Sequence, residues 1–470
     1  MVRVLSLLLA VGLLLLSAWQ LERAGDGLDI RHDRLGDTPA TFLTRAGRTP
    51  EGWVIVSHGF AGSRQMMHAL SLSLARTGLG VISIDSIGHG RHPGVLSPDV
   101  TRIEGTTAQL VDQMGQVIAA APGPVVALLG HSMATDIILR AGRAAGIGQL
   151  VAISMYSETL SPDWPPALLV VSGQWESRLR DVALDAARMV EADVLEGETA
   201  EEGEVRRRTA VAPWVGHVGV LWSPTTARAA RNWLTGAATP PALTGPWIVL
   251  LLGSMLAAGR VATGWAVSGD LAPALPARSF WLAGLLPLPL AGLGALAVSD
   301  AALFGMAGFA PLGLALAVPG MAWLAVGWSR LGRPGAGLAL YALWSLAFAL
   351  LLDRYGASFL PTGPRVALAL ALLPATLAYA LGEAVLLAGS GIVRRVALRL
   401  AVLALLGGLM FAAPARIGLT FTVLPVLVLF WLVFGTVARP IARRRPGAAG
   451  LGLGAALAWS IAASTPLFSA

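Results

Sequence analysis

The chain of 470 residues contains no cysteine. That excludes disulfides, a thiol nucleophile and thiolate-bound metal, and leaves the redox compartment unread. Lysine is absent too, so all 34 basic residues are arginine; this is a compositional bias and supports no function. Acid is scarce in the second half. Of 27 acidic residues only Asp270, Asp300, Asp353 and Glu383 follow a break near Thr239 to Pro246, and all seven histidines precede it. Proton-transfer chemistry therefore belongs to the first half. Beyond the break 14 arginines face 4 acids, net +10, which leaves about −3 for the first half against the total of +7. A basic excess distributed this way marks membrane loops and excludes a nucleic-acid footprint. No zinc-ligand spacing is present, no glycine-rich stretch has the lysine of a phosphate loop, and Gly88-His89-Gly90 is no dinucleotide fingerprint. No metal and no cofactor is implied.

What the second half has is length in its apolar runs. From Trp247 onward eight blocks of roughly 20 residues, the length that crosses a hydrocarbon core about 30 Å thick, alternate with short arginine-bearing connectors. They run from Trp247 to Val267, Phe280 to Val298, Leu303 to Val326, Leu338 to Leu352, Val366 to Leu387, Val396 to Ala413, Leu419 to Val437 and Ala448 to Ala463. Pro311, Pro319 and Pro374 fall inside two of these blocks, where membrane helices tolerate kinks. A further run, Val4 to Trp19, reads as a signal peptide or an uncleaved anchor; Leu16-Ser17-Ala18 is a poor cleavage site and favours the anchor. With the amino terminus cytoplasmic, ten arginines fall in inner connectors (Arg278, Arg330, Arg333, Arg394, Arg395, Arg399, Arg439, Arg443, Arg444 and Arg445). Only Arg354, Arg365 and Arg416 fall outside. This bias puts the soluble part on the extracytoplasmic side. Glu383 and Arg260 lie at membrane depth and read either as an ion or substrate path or, more plainly, as a structural pair or a carboxyl kept protonated by its apolar surroundings.

The first half alternates short β-branched runs with helical stretches, the pattern of a parallel sheet with crossover helices. Expected strands are Trp53 to Ser57, Gly80 to Ile84, Val125 to Leu129, Leu150 to Ile153, Ala167 to Val171 and Thr209 to Ala212. Expected helices are Arg64 to Arg76, Glu104 to Ala120, Ser132 to Ala145, Ser177 to Glu191 and Thr225 to Leu234. Ligand sites gather beyond the carboxyl ends of such strands. One of those ends bears Gly130-His131-Ser132-Met133-Ala134, a strand-to-helix turn whose small flanking residues, Gly130 and Ala134, leave room for a tight bend that lifts Ser132 out as a nucleophile.

Over roughly residues 50 to 235 the chain resembles the α/β-hydrolase family. The resemblance rests on ordered motifs: His58-Gly59-Phe60, Asp85-Ser86-Ile87-Gly88-His89-Gly90, the Ser132 turn, Gly173-Gln174-Trp175-Glu176 and Gly216-His217. It implies Ser132 as nucleophile and His217, which alone among the histidines follows Ser132, as its base. Glu176 is implied as the acid that orients the imidazole, with Asp163 as the rival acid. The family pattern takes its oxyanion-hole N–H groups from Phe60 and Met133. His131 is expected to pack beside the turn, and His58 to shape the loop before Phe60. Only about a dozen residues, Ser154 to Pro166, stand where many relatives insert a helical cap, so an open site is expected. Tyr156, Trp164, Pro165, Trp175, Trp214 and Trp222 are candidates for an apolar rim.

The organisation expected is an N-terminal membrane anchor or signal segment over residues 1–20, an α/β-hydrolase-like domain without a large cap over 21–243, and an all-α transmembrane bundle of no recognised family over 244–470. The function expected is a membrane-anchored serine hydrolase of carboxylic esters, acting on a small-molecule or lipid ester at a bilayer. Acyl transfer or peptide cleavage by the same triad, and a non-enzymatic transport or scaffold role, are the alternatives. Oligomeric state is unreadable.

Overall fold

The computed structural model describes residues 1–237, 239–333 and 335–470. They form two compact units, one of Leu16–Leu250 with Asp353–Ser358, the other of Met1–Leu15, Leu251–Leu352 and Phe359–Ala470.

The first unit is built on a nine-stranded sheet. Its strands are β1 (Leu28–Leu35), β2 (Thr38–Arg45), β3 (Trp53–Ser57), β4 (Gly80–Ile84), β5 (Val125–His131), β6 (Gln149–Ile153), β7 (Ala167–Gly173), β8 (Thr199–Glu202) and β9 (Val205–Ala212). They are ordered β1-β2-β4-β3-β5-β6-β7-β9-β8. The six strands from β4 to β9 in that order pair in parallel, and each edge is antiparallel. The central strands are apolar throughout because helices cover both faces: every residue of β3 and β4 is buried. Val54, Val56, Leu129, Val151, Ile153 and Val171 form the core with Leu70, Leu72 and Leu74 from helix His68–Ala75. Each such side chain contributes roughly 1.5–3 kcal/mol on leaving water.

The six expected strands are all present, four of them longer than expected. The edge strands β1 and β8, and β2 beside β1, were not expected. Charged, mostly exposed β1 (LDIRHDRL) carries no apolar alternation to betray it. Two-residue turns join β1 to β2 and β8 to β9, and Gly36 (φ +58°) and Gly203 (φ +59°) take the left-handed backbone those turns require. The stretch expected as a helix from Arg64 splits into a 3₁₀ turn, Arg64–Met67, and the helix His68–Ala75. Among the described residues of the Ser154 to Pro166 connection there is no helix.

In the second unit and at the chain start, nine helical stretches among the described residues are long and apolar enough to cross a membrane: Val2–Arg23, Gly245–Trp265, Ala277–Ala297, Phe309–Arg330, Ala336–Tyr355, Pro364–Leu387, Ile392–Ala412, Ile417–Ala442 and Pro446–Ser464. The second of the eight expected blocks is broken at Leu286, before Pro287. Arg394, Arg395 and Arg399 lie inside helix Ile392–Ala412, and Arg439 inside Val423–Ala442, although all four read as connector residues in the sequence. Glu383 is buried and accepts from Arg399 Nε at 2.8 Å, which is the structural-pair reading of that acid. Arg260 is half-buried near the end of its helix.

Small residues let these helices approach. A Cβ on Gly450 or Gly454 would stand 2.7 Å from the Cα of Leu381 or Leu377 of helix Pro364–Leu387, and one on Gly382 would stand 2.2 Å from the Gly320 carbonyl oxygen. These are backbone obstacles that cannot step aside, as in other small-xxx-small contacts between apolar helices. Gly454→Leu is therefore expected to lower the detergent-solubilised protein's melting temperature markedly, whereas Gly253→Leu, at a position with nothing within 4 Å, leaves it within a degree or two. Equal melting temperatures for the two variants would contradict this packing.

Candidate active site

Three side chains from three strand ends meet at the carboxyl edge of the sheet. β5 runs into helix Met133–Ala145 with no intervening loop, and Ser132 turns the chain at φ +52°, ψ −117°. A non-glycine residue is costly there, by about 1–3 kcal/mol. The bend is tight enough that a Cβ on Gly130 would sit 2.6 Å from the Ala134 carbonyl oxygen. Ser132 N–H donates to the Ile153 carbonyl (2.9 Å), and Thr135 Oγ1 donates to the Ser132 carbonyl (2.7 Å), so the turn is tied to β6 and to its own helix.

His217, in the loop after β9, places Nε2 2.9 Å from Ser132 Oγ, and its Nδ1 lies 2.6 Å from Glu176 Oε1. Glu176 follows β7 at the start of helix Ser177–Arg188. Its other oxygen, Oε2, accepts from Gly173 N–H (2.6 Å) and from Ser154 Oγ (2.8 Å). Ser154 was not expected here. It stands at the carboxyl end of β6 with φ +52°, and its place beyond a strand end was the one signal in the sequence that could have found it. Burial pushes the Glu176 carboxyl up; the hydrogen bonds from His217, Gly173 and Ser154 outweigh that and hold it below the ordinary carboxylate range. An ionised carboxylate on Nδ1–H presents the bare Nε2 to the serine hydroxyl, the arrangement in which imidazole can accept a hydroxyl proton.

Met133 opens its helix, so its N–H has no carbonyl partner within the helix and lies at the positive end of the helix dipole. The loop bearing Phe60 is a tight turn closed by Gly62 N–H on the Gly59 carbonyl (3.0 Å), and a Cβ on Gly59 would approach Ser132 Cβ to 2.9 Å. His58 is fully buried: one ring nitrogen, Nε2, accepts from Ser86 N–H (3.1 Å) and the other, Nδ1, meets the Gly59 carbonyl (2.8 Å). Arg64 and Asp85 form a buried ion pair behind the same loop, and Asp85 also accepts from the Arg64 and Arg91 N–H groups. His131, buried beside the turn, places Nε2 2.8 Å from the His217 carbonyl oxygen, which ties the loop of His217 to β5. Asp163 is exposed and hydrogen-bonded within its own loop to Ser161, while it is Glu176 that reaches His217.

Of the six expected rim residues, Tyr156, Trp175 and Trp214 are exposed, at 62%, 69% and 76%; Trp175 adjoins Glu176, Trp214 shortly precedes His217, and the Tyr156 backbone is hydrogen-bonded to Thr135 Oγ1 in the turn after Ser132. Trp164 packs on Leu139 and Arg143, Pro165 is buried, and Trp222 packs against the core. The His217 side chain is itself 46% exposed, so the site is open.

Residues 48–175 match the family model described as "Serine aminopeptidase, S33". This part of the chain is an α/β hydrolase. The matched segment includes Phe60, Ser132 and Met133 and stops just before Glu176. The hydrolase unit is also similar to solved structures of a CIB-like hydrolase from Thermoplasma acidophilum (13% identity, 45% of this chain and 100% of that one, TM-score 0.36). A second is the dienelactone hydrolase from Anabaena variabilis (16% identity, 44% and 97%, TM-score 0.32). No curated protein matches the chain.

Burial gives the hydrolase unit a pH signature. It drives His131, His92 and His68 each down to about 4 from the ordinary 6.5, and lowers His58 as well. Between those values the unfolded chain binds protons that the folded chain refuses. Stability is thus fully present above about 6.5 and falls as the pH drops toward about 4. The melting temperature should decline steadily over that window; a flat profile would mean these histidines are not buried neutral.

Proposed function

We propose that the chain is a membrane-anchored serine hydrolase of carboxylic esters. The observation that carries the reading is the continuous hydrogen-bond path from Glu176 through His217 to Ser132 at the crest of a strained turn. Ser132 Oγ attacks the ester carbonyl as its proton passes to His217 Nε2, and Glu176 stabilises the imidazolium that forms. The N–H groups of Phe60 and Met133 receive the developing oxyanion. As the tetrahedral intermediate collapses, His217 returns its proton to the leaving alcohol and the acyl group remains on Ser132. Water, deprotonated by the same imidazole, then releases the acid.

The exposed Tyr156, Trp175 and Trp214 beside an uncapped serine suit an acyl or alkyl substrate, including a lipid ester. Amide cleavage, which the family model's description names for other proteins, would use the same serine step. The membrane assignment rests on the nine sufficiently long apolar helices among the described residues and the extracytoplasmic placement of the hydrolase unit on the ten-to-three arginine count; both belong to the proposal.

Turnover of a short aryl ester and of an aminoacyl anilide by the purified full chain tests the reading. The wild type should prefer the ester, and Ser132→Ala and His217→Ala should each lose about 10⁴-fold or more in kcat, with Glu176→Gln comparable. Undiminished ester turnover in folded Ser132→Ala would rule the proposal out. For sidedness, a reporter fused after Ala470 should behave as extracytoplasmic, and cytoplasmic reporter activity would overturn the topology.

A further inference from the structure

Within the helical unit, the ends of helices Pro364–Leu387, Ile392–Ala412 and Val423–Ala442 enclose a cavity of about 520 Å³. Arg395, Arg399, Arg439 and Arg443 line it, and among its lining residues Glu383 is the one carboxylate, so the formal charge of the lining is 4 − 1 = +3. Glu383 is already used: it accepts from Arg399, whose guanidinium stacks 5.0 Å from the Trp431 ring centre. Arg395 donates to the Ser390 carbonyl at 3.3 Å, and the Ser390 hydroxyl is buried on the same wall with no hydrogen-bond partner among the described residues.

A membrane protein's inner arginines satisfy the charge bias of its connectors while standing apart, each hydrated on its own. Here they converge from two helices on one concave wall, where like charges in partly water-excluded space repel. An anion among them turns that repulsion into attraction. Guanidinium forks match the oxygens of phosphate, two N–H groups at a time. The volume is within the range of small-molecule sites and has room for a phosphate group. We propose that this cavity binds a phosphate-bearing anion. Arg395, Arg439 and Arg443 hold its oxygens, the Ser390 hydroxyl donates to it, and the Glu383–Arg399 pair fixes the wall behind. The site is independent of the serine chemistry. Its ligand is the headgroup of an acidic phospholipid or a free phosphate, and the test separates the two.

Arginine-selective labelling of the wild-type full chain with phenylglyoxal, mapped by peptide mass spectrometry, reads the site without any substitution. Labelling is compared in neutral detergent alone and after addition of phosphatidylglycerol, phosphatidylcholine or inorganic phosphate. Phosphatidylglycerol should slow labelling of Arg395 and Arg439 about tenfold, with Arg333, which is outside the cavity, unchanged. Protection by the lipid alone assigns a headgroup; protection by inorganic phosphate assigns the free anion. Labelling that no addition changes, or protection as strong from phosphatidylcholine, or equal protection of Arg333, would overturn the site. As a second reading, phosphatidylglycerol retained in native mass spectra should fall about tenfold in Arg395→Gln/Arg439→Gln relative to Arg333→Gln. Where the lipid is what protects, retention equal to that of the control also overturns the site.

Discussion

The hydrogen bond between Glu176 and the His217 ring is the contact on which the proposed chemistry depends. At 2.6 Å it fixes which ring nitrogen carries hydrogen, and so which one faces Ser132. The bond is kept in place from both sides. Gly173 and Ser154 hold the far oxygen of the carboxylate, and His131 holds the backbone of His217. Every one of these groups stands at or just beyond the carboxyl end of β5, β6, β7 or β9. The parallel order of those strands is what brings residues separated by up to 86 positions to one edge.

The turn at Ser132 shows where the cost of this arrangement lies. A left-handed serine is unfavourable in isolation, and it persists because β6, the following helix and the space left by Gly130 determine the turn together. A second bulky or reversed element at this point would break the geometry before it broke the fold. The loop of Phe60 has a comparable scaffold in the buried Arg64–Asp85 pair and in His58, none of which touches the serine hydroxyl.

Much of this was legible in the residues. The central strands announce themselves as buried β-branched runs, and the order of Ser132, Glu176 and His217 along the chain is the order of a known family. The edges were not legible, because β1 and β8 are charged and mostly exposed, and only Gly36 and Gly203 punctuate them. Ser154 escaped notice since its role depends on a backbone direction that no local pattern encodes. In the helical half, Arg399 was counted among the connector arginines although it stands two turns inside helix Ile392–Ala412, which hid its pairing with Glu383. A long aliphatic stem lets an arginine sit a turn or two inside an apolar helix while its head reaches a partner.

The central claim is that Ser132 is a nucleophile made reactive by His217. A fluorophosphonate reacts covalently with such a serine, and the intact mass and the modified peptide identify the atom attacked. The account predicts a single adduct on Ser132 of the folded full chain, lost in His217→Ala though Ser132 is still present. A folded wild-type chain that takes no label, or takes it at a residue other than Ser132, would contradict it.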